Sequence, residues 1–145
     1  MQFYAEQDIR WGALHLENRI YLQQTSDASI LPLPNLIGRH ALYFAGGLFK
    51  NALSAQIGVD FRYNTAWRAR YYYPLTGQFI LQDRETFSFY PQLDAFVSIR
   101  VQKFRAFLRF NNALDVLRDD FYYQSAYYAL PVANIRWGIS WRFVN

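Results

Sequence analysis

Residues 135–143 alternate without a break: Ile135, Trp137, Ile139, Trp141 and Phe143 fall on one side, and Arg136, Gly138, Ser140 and Arg142 on the other. Successive side chains of a strand point to opposite faces, whereas a helix would scatter these residues around its circumference. The segment therefore reads as a strand, 135–144, with one apolar and one polar face. The pattern constrains the fold because it recurs. Over 53–67, Leu53, Ala55, Ile57, Val59, Phe61, Tyr63, Thr65 and Trp67 oppose Ser54, Gln56, Gly58, Asp60, Arg62, Asn64 and Ala66. Strands of soluble proteins usually run ~5–6 residues. Runs of about ten or more are what a tilted crossing of a bilayer needs.

Segments 14–22, 36–48, 93–101 and 104–110 repeat the alternation less purely, with Asn18 breaking the first. The expectation is six long strands and no amphipathic helix. Tight connections at 49–52 and 102–103 alternate with long ones at 24–35, 68–91 and 113–134. Membrane barrels have this asymmetry, with short turns at the periplasmic rim and long loops outside. The predicted fold is all-β: a segment of an antiparallel up-and-down membrane β-barrel, one unit over residues 1–145. Six strands fall short of the eight that such a barrel needs at minimum. An open sheet in lipid also leaves unpaired edge groups, each costing several kcal/mol. The chain is therefore expected to be the carboxyl-terminal part of a larger barrel, unless short strands near 2–6 and 122–128 raise the count. Trp11, Tyr21, Trp67, Tyr71, Tyr72, Tyr73, Tyr127 and Tyr128 fall near strand ends, where amphipathic rings would form an interfacial girdle, with plain loop packing the equal alternative for Tyr71–Tyr73.

Composition narrows the functional classes. The chain has no cysteine, so it offers neither a disulfide framework nor a thiolate metal site. Aromatic residues make up 20%, and no run approaches the ~20 apolar residues of a membrane helix. The formal charge is +4, carried by thirteen Arg against only Lys50 and Lys103. Arginine is weakly hydrated and pairs with carboxylates through a planar fork, which suits a crowded, partly desolvated polar lining.

Several motifs carry a family resemblance. The segments 70–79 (Arg-Tyr-Tyr-Tyr-Pro-Leu-Thr-Gly-Gln-Phe) and 90–97 (Tyr-Pro-Gln-Leu-Asp-Ala-Phe-Val) are followed by 105–110 (Arg-Ala-Phe-Leu-Arg-Phe) and the closing 136–143. Together they resemble the carboxyl-terminal region of the putative porins of Bacteroidota, over roughly residues 60–145. The resemblance implies an outer-membrane barrel that conducts small solutes, with no cofactor and no catalytic residues. The spacing of Arg136, Gly138, Trp141 and Phe143 also resembles the signal that outer-membrane barrels present to their assembly machinery. The expected partners are thus the lipid bilayer, that machinery and small solutes.

The polar strand faces supply the candidate lumen lining: Arg19, Arg39, Arg62, Arg100, Arg105, Arg109, Arg136 and Arg142, with Glu17, Asp60 and Asp94. Fixed positive charge in a narrow aqueous pore favours anions. The contrary expectation is an Arg–carboxylate ladder that braces the wall and selects nothing. Catalysis finds little: His15 shares a face with Glu17, but no nucleophile accompanies them. His40 lies on the side of Leu42, and Gly46-Gly47 precedes no helix and is no phosphate loop. Metal ligands are lacking, and arginines backed by an apolar face do not fit a nucleic-acid groove. Two rival readings keep strands but change the function. One is a soluble lipocalin-like barrel around an apolar ligand, with the apolar faces inward. The other is a purely structural wall of a transporter or secretion complex.

Overall fold

The computed structural model describes residues 1–118, 122–125 and 128–143. The strands in chain order are β1 (Gln2–Trp11), β2 (Leu14–Gln23), β3 (Leu36–Leu48), β4 (Leu53–Asn64), β5 (Tyr71–Tyr73), β6 (Gln78–Ile80), β7 (Gln92–Val101), β8 (Phe104–Asn111), β9 (Tyr123–Ser125), β10 (Tyr128–Ala129) and β11 (Asn134–Trp141). A short 3-10 helix, Ala113–Leu117, follows β8. Seven strands form one sheet in the order β1-β2-β3-β4-β7-β8-β11, with every neighbouring pair antiparallel. The small hairpins β5–β6 and β9–β10 stand apart within the long links.

The expected six strands are therefore seven. Residues 2–6 belong to a full ten-residue strand. Its apolar side contains Ala5 and Gln7, which blunts the alternation of Phe3, Ile9 and Trp11 with Tyr4, Glu6, Asp8 and Arg10. Residues near 122–128 add only a local hairpin to the last link. The strand read over 53–67 ends at Asn64, although Thr65 still donates its backbone N–H to Leu36 at 2.9 Å. The last strand pairs from Asn134 to Trp141, and the Arg142 N–H reaches the Lys103 carbonyl at 3.1 Å. Residue 144 lies outside the described residues.

Three tight connections gather at one end of the sheet: Gly12 and Ala13, Phe49 to Ala52, and Gln102 and Lys103. Both two-residue turns place a positive φ at their first residue, 60° at Gly12 and 49° at Gln102. Glycine adopts that conformation freely, whereas for Gln102 it costs roughly 1–2 kcal/mol. The long links meet at the opposite end. There Phe87 and Ala69 are buried against Trp67, Tyr71 and Tyr122, and Trp67 pairs with Phe87 through a two-way backbone bridge. Trp67 and Tyr71 are thus packing residues of the links rather than girdle residues, and Tyr72 packs on Phe79 and Tyr128 within the links. Tyr21 also leaves the girdle, because it faces Tyr4 on the polar side with ring centroids 4.5 Å apart. Tyr127 lies outside the described residues. Exposed rings do gather on the apolar face at the tight-turn end. Trp11 is there, and Trp141 stacks on Phe143 and meets Phe104 edge-on.

Candidate functional site

The register carries both faces through all seven strands without a slip. One face collects Leu16, Leu42, Val59, Ala95, Leu108 and Trp137; the other collects Glu17, Asp60, Asp94, Arg109 and Arg136. Exposure then inverts the order of a soluble domain. Asp60 and Asp94 are 4% and 2% exposed, whereas Trp137 is 72% and Phe143 85% exposed. Water-soluble proteins rarely leave a continuous apolar sheet face bare. A lipocalin-like arrangement needs the opposite assignment and is not favoured.

Read across the hydrogen-bonding direction, the charged face is layered. One row holds Asp8, Glu17, Ala41, Asp60 and Asp94. The next row toward the long links holds Glu6, Arg19, Arg39 and Arg62. The next toward the tight turns holds Arg10, His15, Tyr43, Gly58, Phe96, Arg109 and Arg136. A carboxylate row thus lies between two rows rich in arginine.

Contacts follow from that layering. Arg39 donates to Asp60 through Nη2 at 2.6 Å and Nε at 3.0 Å. Arg62 reaches back to Asp60 at 3.6 Å and donates through Nη2 to Asp94. Arg109 Nη2 donates to the same Asp94 oxygen at 2.7 Å, and the Asn112 backbone N–H donates to the other at 2.8 Å. Asn112 adopts φ 52°, a conformation that asparagine tolerates better than most residues, and so turns its N–H inward. Desolvating a carboxylate costs several kcal/mol, offset here by two guanidinium groups and a backbone donor. Toward β1 the lattice continues at lower burial. Arg19 bridges Glu6 at 2.8 Å, Tyr4 donates to Glu6, and Tyr43 donates to Glu17 at 2.7 Å.

Of the predicted lining residues, Glu17, Arg19, Arg39, Asp60, Arg62, Asp94 and Arg109 therefore belong to the braced lattice. Arg100, Arg105, Arg136 and Arg142 have no ion pair among the described residues. Glu6, Asp8 and Arg10 join the face through the strand whose pattern was blurred. Tyr43 and Asn112 were not singled out by spacing. The considered His15–Glu17 pair does not form: Glu17 accepts from Tyr43, and His15 stacks on the Tyr43 ring at 4.9 Å. His40 lies on the apolar face and bonds Asn18 at 2.8 Å, so the residue that broke the β2 alternation gains a partner there. Among the described residues no group of His, Cys, Asp or Glu could hold a metal ion.

Gly138 faces Phe107 directly in register, and a Cβ there would meet the Phe107 ring at 2.5 Å. At the β3–β4 pair, Gly58 faces Tyr43 in register, and a Cβ there would meet the Tyr43 Cβ at 2.3 Å. The Phe107 ring occupies the space over Gly138 because glycine has no side chain there. Gly138 and Arg136 lie on that face; Trp141 and Phe143 lie on the exposed apolar face.

An antiparallel sheet with a charged, braced side and a bare apolar side defines the wall of a membrane-type β-barrel. The family described as Putative porin matches residues 1–145, and the chain belongs to that family. No curated protein and no solved structure matches the chain.

Proposed function

We propose that this sheet is part of the wall of an outer-membrane channel through which small solutes, with anions favoured, diffuse passively. The observation that carries the reading is the inversion of exposure: paired carboxylates buried on one face, tryptophans bare on the other. In lipid the apolar face has its solvent, and the charged face lines water. On that face Arg10, Arg19, Arg39, Arg62, Arg100, Arg105, Arg109, Arg136 and Arg142 outnumber Glu6, Asp8, Glu17, Asp60 and Asp94, which supports the anion preference.

The sheet is open at β1 and β11. Edges in lipid must be paired, so further strands complete the wall, whichever chain supplies them. With seven strands, β1 and β11 both run from the long-link end to the tight-turn end. Joining them directly would pair them in parallel, so an antiparallel barrel needs an odd number of additional strands. Arg136, Gly138, Trp141 and Phe143 are the proposed signal to the assembly machinery, with Trp141 and Phe143 accessible on the lipid side.

Planar bilayers test the reading. The complete barrel should insert from detergent, conduct in discrete steps, and show a reversal potential on the anion side in a KCl gradient. Absence of conductance overturns the channel, and a cation-side potential overturns the preference.

A further inference from the structure

Arg100 on β7 and Arg105 on β8 are direct register partners across the Gln102–Lys103 turn. Like charges placed opposite each other on a sheet destabilise it, since their Cβ atoms are only ~4.5–5.5 Å apart. Elsewhere on this wall the same conflict is answered. Arg109 and Arg136 are also register partners, but Asp94 lies 2.7 Å from Arg109. At Arg100 and Arg105 no carboxylate takes that part among the described residues. The row they share reads Gly47, Ser54, Arg100, Arg105 and Ser140. Residues 10–16, 44–57, 97–107 and 137–143, which make up the tight-turn end of the sheet, contain no Asp or Glu. The nearest carboxylate on β7 is Asp94, six residues away. At ~3.4 Å per residue that is about 20 Å, twice the ~10 Å screening length at 0.1 M salt.

The space in front of the pair is open. A concavity of about 480 Å³ is lined by Arg100 and Arg105 together with Ser54, Gln56, Ser98 and Gly47. Neither guanidinium has an ion pair or side-chain hydrogen bond among the described residues, so their forks are available. Two guanidinium forks, hydroxyls and an amide around one concavity match the acceptor oxygens of a compact oxyanion. We propose that Arg100 and Arg105 form an anion-binding subsite at the tight-turn mouth, selective for phosphate-type oxyanions carrying more than one charge. A lone chloride leaves one fork unfilled, whereas a diphosphate bridges both. The subsite deepens the channel reading and rests on it for its occupant. The braced lattice near the long links sets the shape of the wall, and the unpaired pair holds the solute on one side of it.

Inorganic pyrophosphate is the probe, in two measurements on the complete barrel. First, phenylglyoxal modification is read by mass spectrometry in detergent, where no conduction is required. Pyrophosphate should slow modification of Arg100 and Arg105 at least fivefold and leave exposed Arg68 unchanged. Equal rates with and without it overturn the subsite. Second, in planar bilayers pyrophosphate should block chloride current more strongly from the tight-turn side. Arg100→Ser with Arg105→Ser should raise the half-blocking concentration at least tenfold, and the Lys,Lys counterpart should recover part of the block. Block unchanged in the Ser,Ser variant overturns the subsite while leaving the channel standing. A protein that shows the protection pattern but carries no current overturns the channel while leaving the site standing.

Discussion

The two halves of the charged face use the same residue in opposite ways. Toward the long links, Arg39, Arg62 and Arg109 are spent on Asp60 and Asp94, whose carboxylates are buried and whose oxygens are all engaged. Toward the tight turns, Arg100 and Arg105 face each other with small and hydroxyl side chains around them. What separates the halves is the placement of carboxylates, since arginine is present in both. A guanidinium beside a buried acid is a structural tie; one without an acid is a charge left open on the charged face. This teaches that the number of arginines along the face is a poor guide to selectivity, because those paired with a carboxylate are neutralised in place and only the unpaired excess counts.

The comparison breaks most visibly at Asp94. Asp94→Ala leaves Arg62 and Arg109 without their shared acceptor and removes the partner of the Asn112 N–H. Removing one member of a buried ion pair costs about 3–5 kcal/mol, and partial exposure of both arginines places the expected loss near the lower end. Urea unfolding in lipid vesicles measures it. A loss below about 1 kcal/mol, the size expected of a surface ion pair, would erase the distinction between the halves.

A second substitution sharpens the contrast between faces. Trp137→Arg puts a charge on the apolar face and should cost about 2–4 kcal/mol near the bilayer midplane, whereas Ser98→Arg on the lumen face should cost well under 1 kcal/mol. The same vesicle assay reads both. Equal costs would mean that the faces have been assigned wrongly.

Much of this was legible in the chain itself, and the gaps have physical causes. Ile135 to Phe143 and Leu53 to Tyr63 announce their faces because every second side chain is bulky and apolar. β1 was blurred because Ala5 and Gln7 occupy positions on the apolar face beside only Phe3, Ile9 and Trp11. With it went Glu6, Asp8 and Arg10, so the face read as more basic than it is. The residues of the charged face could be named by alternation, but their division into braced and unpaired could not. That division depends on register, which sets Asp60 opposite Asp94 and Arg100 opposite Arg105, and register is fixed by turn lengths and cross-strand fit. Asn112 was invisible for another reason: its role comes from a left-handed backbone conformation outside the strands. The tyrosines of 71–73 looked like girdle residues because Tyr suits both an interface and the packing of a link.

Between the two halves lies Gly138, and it tests whether the wall there is shaped by packing. A methyl group at this position would press on the Phe107 ring, and overpacking of this kind costs about 1–3 kcal/mol. Gly138→Ala should therefore destabilise, and Phe107→Ala in the same chain should recover most of the loss in a double-mutant cycle. An additive cycle would mean that Gly138 acts elsewhere, as in recognition by the assembly machinery, and a drop in insertion rate without a drop in stability would show that directly.

The smallest expected effect discriminates best. Arg105→Ser removes a charge that has no acid partner, so stability should change by less than about 0.5 kcal/mol. The sign should be positive at low salt, because a like-charge opposition with Arg100 disappears. Raising the salt to 1 M shortens the screening length to ~3 Å and should abolish that gain. The Asp94→Ala loss should persist in the same buffer, since a buried pair is screened far less. Unfolding curves of both variants at two salt concentrations thus contrast the halves in one experiment. If Arg105→Ser destabilises by more than about 1 kcal/mol, Arg105 is a structural tie like Arg109, and the unpaired half does not exist.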